Sequence, residues 1–172
     1  MLKPILILCL GNEVLRDDCF GPEVARRLSG RGNLGEGVEV IYAAVAGFAL
    51  LDLLHNRKRV LVVDTIQTGK APPGTLHYFE AGLLAPSEHL INSHQMSLPT
   101  ALELGRQLHI AMPHSVDVLA VEVKDVNTLS EEMTPEVAAA VEHAIELVGR
   151  WIVQDKMEES KYVTRESVNI GR

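Results

Sequence analysis

The run Ile5-Leu6-Ile7-Leu8-Cys9-Leu10 is apolar at every position, and so is Val60-Leu61-Val62-Val63. A strand alternates its side chains between two faces, so a run with no polar alternate must bury both faces. Buried parallel strands do this, and parallel strands need crossover segments between them. Helix-period segments lie between the apolar runs here, the pattern of βαβ units around a mostly parallel sheet.

On that basis strands are expected at about Pro4–Leu10, Val38–Ala43, Arg59–Asp64, Thr75–Glu80 and Ser115–Val123. The polar content of the fourth suits a sheet edge. Helices are expected at about Pro22–Leu28, Gly47–Leu54 and Ser97–Leu108, the third with Leu98, Ala101, Leu102 and Leu108 inward. Thr134-Pro135-Glu136 is a strong helix start: a capping hydroxyl, a proline at the first position, then an acid near the positive end of the dipole. It opens a helix over Pro135–Val153. Residues 1–153 are read as one α/β domain, and the polar stretch 154–172 as a loose tail.

Composition narrows the function. The chain has 172 residues and a net charge of -7, so no basic surplus is available to neutralise nucleic-acid phosphates. No stretch approaches the about 20 apolar residues of a membrane span. The first apolar run is too short for a secretory signal and leads into Gly-Asn and acids instead of a cleavage site, which points to the cytoplasm. Cys9 and Cys19 have neither a metal spacing nor a disulfide framework.

Candidate chemistry gathers where strands of such a sheet end, because open α/β sheets bind ligands outside the carboxyl ends of their strands. Asp18 closes the segment Gly11-Asn12-Glu13-Val14-Leu15-Arg16-Asp17-Asp18 after the first strand, Asp64 ends the third, and His94 precedes the third helix. Strands one and three are neighbours in many doubly wound orders. Two carboxylates and an imidazole form an O/O/N donor set that leaves coordination positions open, as catalytic metal sites do. Each residue also has a structural reading. Asp64 can close a loop, Asp17-Asp18 can favour a helix N-terminus, and a lone loop histidine is commonplace. His55, His77, His89, His109, His114 and His143 show no ligand spacing. No dinucleotide or P-loop glycine pattern is present, and Glu13, Asp17 and Asp18 would repel phosphate. There is no nucleophile elbow. Cys19 is a poor nucleophile, because neighbouring carboxylates raise a thiol pKa.

Across about Ile5–Ile152 the sequence resembles the hydrogenase maturation proteases. The likeness rests on Gly11-Asn12 … Leu15-Arg16-Asp17-Asp18-Cys19-Phe20-Gly21, on Ala46-Gly47 with Leu50-Leu51, on Val63-Asp64-Thr65-Ile66 with Pro72-Pro73-Gly74-Thr75, and on Ser93-His94-Gln95. Cys9 and Cys19 depart from it, since many members carry glycine at both places. The resemblance implies a three-layer, phosphorylase/hydrolase-like α/β sandwich: about five strands, mostly parallel, with helices on both faces. It implies an aspartyl-type cytoplasmic endopeptidase, a monomer, that trims the C-terminus of a nickel–iron hydrogenase large-subunit precursor. Asp18, Asp64 and His94 would be the catalytic and metal residues, binding nickel supplied by the precursor. Gly11, Asn12, Asp17, Gly21 and Gly47 would shape the substrate-binding loops. The loops Thr68–Gly74 and Gly82–Asn92 would grip the precursor. A self-contained zinc-type hydrolase and a non-enzymatic maturation chaperone are the competing functions.

Overall fold

The computed structural model describes residues 2–32, 34–45, 47–83 and 98–166, with side chains up to 154. Five strands, β1 (Ile5–Leu10), β2 (Val38–Ala43), β3 (Arg59–Ile66), β4 (Leu76–Glu80) and β5 (Ser115–Glu122), form one sheet in the order β2-β1-β3-β5-β4. β1, β2, β3 and β5 are parallel, and β4 runs antiparallel against β5 at the edge. The helices are α1 (Phe20–Gly30), α2 (Ala49–Leu54), α3 (Leu98–Gln107) and α4 (Pro135–Glu166).

The fully apolar runs are explained by two cores, one on each face. Ile5, Ile7 and Cys9 of β1 join Leu61, Val63, Leu119 and Val121 beneath α1 and α4, whose Phe20, Val24, Leu28, Val141, Ile145 and Val148 cover them. Leu6, Leu8 and Leu10 point the other way. With Val60, Val62, Val118 and Ala120 they pack under α2 and α3, through Leu50, Leu54, Leu98 and Leu102. Each large side chain buried in this way stabilises by about 1.5–3 kcal/mol, and no face of β1 is left for water. Three layers result, as expected. β1 and β3 are neighbours in register, Cys9 opposite Val63.

Polar pins fix the amino edge of the sheet. Buried Arg57 reaches Glu39 at 2.6 Å and donates to the carbonyl of Lys3. Trp151 of α4 donates its indole N–H to Asp117 at 2.8 Å and lies under the Arg59 guanidinium.

Several boundaries differ from the sequence expectation. β3 continues to Ile66, because pairing with β5 continues to Glu122. Asp64 therefore sits inside the strand instead of ending it. α1 starts at Phe20, because a 3₁₀ turn over Arg16–Cys19 feeds it directly. Pro22 still falls in the first turn, where no N–H is needed. Leu108 lies past the end of α3 and is 57 % exposed, so it does not face inward. α4 runs on past Val153 to Glu166. No glycine or proline interrupts residues 154–166, and most of them are ordinary helix formers. Among the described residues no helix is long and apolar enough to cross a membrane.

Candidate active site at the carboxyl edge of the sheet

β1 ends at Leu10 and the chain must turn sharply to enter α1. Gly11 makes that turn with φ +147°, and a Cβ there would lie 2.3 Å from the carbonyl oxygen of Asp18. The Asn12 amide donates to that same oxygen at 3.1 Å, and the Asn12 side chain accepts from the Val14 amide at 3.1 Å. Gly21 closes the motif from the helix side. A Cβ on it would meet the Leu10 carbonyl oxygen at 1.8 Å, so only glycine lets α1 start against the end of β1. Gly47 adopts φ +68° just ahead of α2. Gly11, Asn12, Gly21 and Gly47 thus set the backbone turns at this edge of the sheet.

The two acids of Asp17-Asp18 then part company. Both are buried, at 0 % and 1 % exposure. Asp17 turns toward α4: its Oδ1 accepts the Thr134 amide at 2.7 Å and the Thr134 hydroxyl at 2.8 Å. Its own amide donates to the Asp125 carbonyl. Asp17 thus ties the 3₁₀ turn to the start of α4. Asp18 faces β3, where its Oδ1 accepts the Thr65 hydroxyl at 3.0 Å.

Asp64 is fully buried, and its Oδ1 accepts the amide of Thr65 at 2.7 Å. Thr65 thereby links the carboxylates, with its backbone oriented to one and its hydroxyl to the other. Thr65 was not singled out from the sequence. The signal was its place directly after Asp64 at the end of an apolar run. His94 and most of the Gly82–Asn92 loop fall outside the described residues. Among the described residues no group of three His, Cys, Asp or Glu side chains is placed to hold a metal.

A buttress that sequence reading missed stands behind the turn. Asp125 accepts bonds from the Asn127 and Thr128 amides and the Thr128 hydroxyl. The Thr128 carbonyl accepts the Arg16 amide, and Leu15 bridges Leu129. Cys19 packs beneath, its thiol donating to the Glu13 carbonyl at 3.0 Å. Burial and then the nearby Asp18 carboxylate push this thiol pKa up, which disfavours a nucleophilic thiolate. Cys9 is buried as a small hydrophobe, its pKa also raised by burial and by Asp64.

The other sequence-predicted loop, Thr68–Gly74, begins just past β3 and is anchored on Glu122. This buried residue at the end of β5 accepts the Thr68 and Gly69 amides at 2.8 Å each, and also the Thr68 hydroxyl. His77 Nε2 lies 3.1 Å from its other oxygen. Burial pushes this carboxyl pKa up, but the bonds from Thr68, Gly69 and His77 outweigh it and hold the pKa below its ordinary value of 4.5.

Fold and candidate site together define a mostly parallel α/β protein with two buried aspartates near the carboxyl edge of its sheet, one in the turn after β1 and one in β3, and with neither a serine elbow nor a phosphate loop in its sequence. Comparison with known proteins makes the class specific. The hydrogenase maturation protease (HycI) family model matches residues 22–151, a span containing Asp64 and His94 and beginning just after the Asp18 turn. The hydrogenase 2 maturation protease of Escherichia coli is 29% identical over 84% of this chain and 87% of its own. A Methanocaldococcus jannaschii protein, named provisionally as a hydrogenase maturation protease, is 31% identical over 85% of this chain and 94% of its own. The structure of the hydrogenase-maturating endopeptidase HybD from E. coli superposes with TM-score 0.69 at 27% identity, covering 84% of this chain and 88% of that one. The chain belongs to the hydrogenase maturation protease family. It is a hydrolase of the peptidase class.

Proposed function

We propose that this protease removes the C-terminal extension of a nickel–iron hydrogenase large-subunit precursor and reads the nickel already inserted there. The observation that carries the reading is the link through Thr65 between buried Asp18 and Asp64. Paired carboxylates under cover are costly unless a cation or a proton offsets them. A divalent ion carried by the substrate supplies that cation. Asp18, Asp64 and His94 contribute an incomplete O/O/N donor set, and precursor groups complete it, so a metal-free precursor lacks the bridge between the two proteins.

The peptide bond then lies beside an acid held in fixed orientation. Either carboxylate can serve as the general base that takes a proton from attacking water. Thr65 keeps both oriented, so little reorganisation is needed at the moment of reaction. Two free cysteines fit a chain that works in the reducing cytoplasm.

The test is cleavage of purified precursor, loaded with nickel or stripped of it, followed by mass spectrometry of its C-terminus. Loaded precursor should be trimmed and stripped precursor left intact. Equal cleavage of both would overturn nickel reading, and a stable complex with no peptide released would overturn the protease assignment for this substrate. Asp18→Asn and Asp64→Asn should each lower cleavage by about a hundredfold or more while remaining folded.

A further inference from the structure

We infer that Glu122 is a positioning residue: it clasps both ends of the Thr68–Gly74 loop and so sets the surface that grips the precursor beside the aspartate pair. The inference rests on the proteolytic reading above for what the loop grips, but not for the clasp itself.

The clasp draws on one residue for five hydrogen bonds, three at its side chain and two at its backbone. The Glu122 side chain takes the amides of Thr68 and Gly69 and the Thr68 hydroxyl, which fixes the near end of the loop. Its carbonyl accepts the Gly74 amide at 2.8 Å, and its amide donates to the Thr75 carbonyl at 2.8 Å, which fixes the far end. The tip between, Lys70 to Pro73, carries an exposed cation and two prolines and makes no part of either core. A glutamate in a strand that is otherwise apolar from Val118 to Val121 would be costly without such partners. Its 1 % exposure and its bonds to loop backbone show what the charge is for.

Register connects the clasp to the reacting residues. Asp64 stands opposite Ala120 and Ile66 opposite Glu122, so Glu122 shares the sheet face of Asp64, one pleat nearer the carboxyl edge. His77, opposite Ala120 on β4, closes the same row and touches Glu122. A loop leaving β3 two residues after Asp64 and held on Glu122 can rise only at the border of the site. Grip at that place acts on precursor binding and not on bond breaking, because no clasp atom belongs to the carboxylate pair.

Three proteins test this: wild type, Glu122→Gln, which keeps an amide oxygen able to accept the loop amides, and Glu122→Ala, which removes the acceptor. Limited trypsin digestion at the exposed Lys70–Ala71 bond reads the clasp with no substrate present. Cutting should be about tenfold faster or more in the alanine variant and within about threefold of wild type in the glutamine variant. In precursor cleavage the alanine variant should raise KM about tenfold and leave kcat within about twofold, with glutamine restoring most of the KM. Unchanged trypsin cutting in the alanine variant overturns the clasp. Faster cutting with unchanged KM, or a loss confined to kcat, overturns its role in grip. Wild-type protein that trims no precursor would count against the proposed function instead, and the trypsin result would still decide the clasp.

Discussion

Asp17 and Asp18 are adjacent, identical and equally buried, yet the structure gives them different work, and one substitution separates them. Asp17→Ala removes the acceptor of the Thr134 amide and hydroxyl, at 2.7 and 2.8 Å. Hydrogen bonds to a charged acceptor contribute about 1.5–3 kcal/mol each. Two of them on one oxygen give a gross loss of about 3–6 kcal/mol, and relief from burying a carboxylate offsets roughly half. The expected net loss is about 2 kcal/mol. In a protein of this size that lowers Tm by about 4–8 °C. Thr134→Ala removes only the hydroxyl bond and should cost about 1 kcal/mol. The double variant should then fall short of the sum, because both changes delete one contact. Circular dichroism melts of the four proteins measure all of this. An Asp17→Ala protein melting within about 2 °C of wild type, or strictly additive losses, would refute the assignment of Asp17 to the α4 tether. Asp18→Asn, by contrast, should melt close to wild type, since an amide oxygen can still accept the Thr65 hydroxyl.

Three further outcomes follow from the same geometry. Gly21→Ala places a methyl 1.8 Å from the Leu10 carbonyl, a backbone atom that cannot swing aside. The variant should lose about 4 kcal/mol or more in urea unfolding, and an unshifted midpoint would contradict the close approach of α1 to β1. Glu122 is held below its ordinary pKa of 4.5, so its contribution is fully present above that value and is lost as pH falls through the lower folded pKa. The acid limb of a stability-versus-pH curve should be shallower for Glu122→Gln, and an identical limb would count against the hydrogen bonds drawn to it. Burial pushes both thiol pKa values up, so iodoacetamide at mildly alkaline pH should label Cys9 and Cys19 slowly in native protein and quickly in guanidinium chloride; fast native labelling of Cys9 would place it elsewhere than the core.

The parts of this fold visible in the sequence were those set by burial. Ile5–Leu10 and Val60–Val63 had to lie between two layers, and the polar content of Thr75–Glu80 suited the edge that β4 occupies. Thr134-Pro135 marked the start of α4 because capping chemistry is local. Boundaries set by partners were not visible. β3 runs on to Ile66 because β5 pairs there, and nothing near Asp64 announces it. Leu108 fitted the helical period, but α3 ends one residue earlier. In the candidate site, Asp18 and Asp64 were legible from strand order and from the glycine-framed turn. The division of labour between Asp17 and Asp18 was not, since it depends on Thr134, 117 positions away. Glu122 had a local signal, an isolated acid closing an apolar strand, but its meaning needs the loop at Thr68 that folds back onto it.

Because one residue pins both ends of the Thr68–Gly74 loop, the ends stay fixed whatever lies between them. Residues could be exchanged or inserted at the tip with little disturbance to β3, β5 or the aspartates. Under the proposed function, the arrangement separates two demands that usually conflict in a protease: a cutting edge that must not move, and a recognition surface that must change whenever its protein substrate changes. A lineage built on this scaffold can follow a diverging substrate by rewriting a few tip residues, and no change to its chemistry is required.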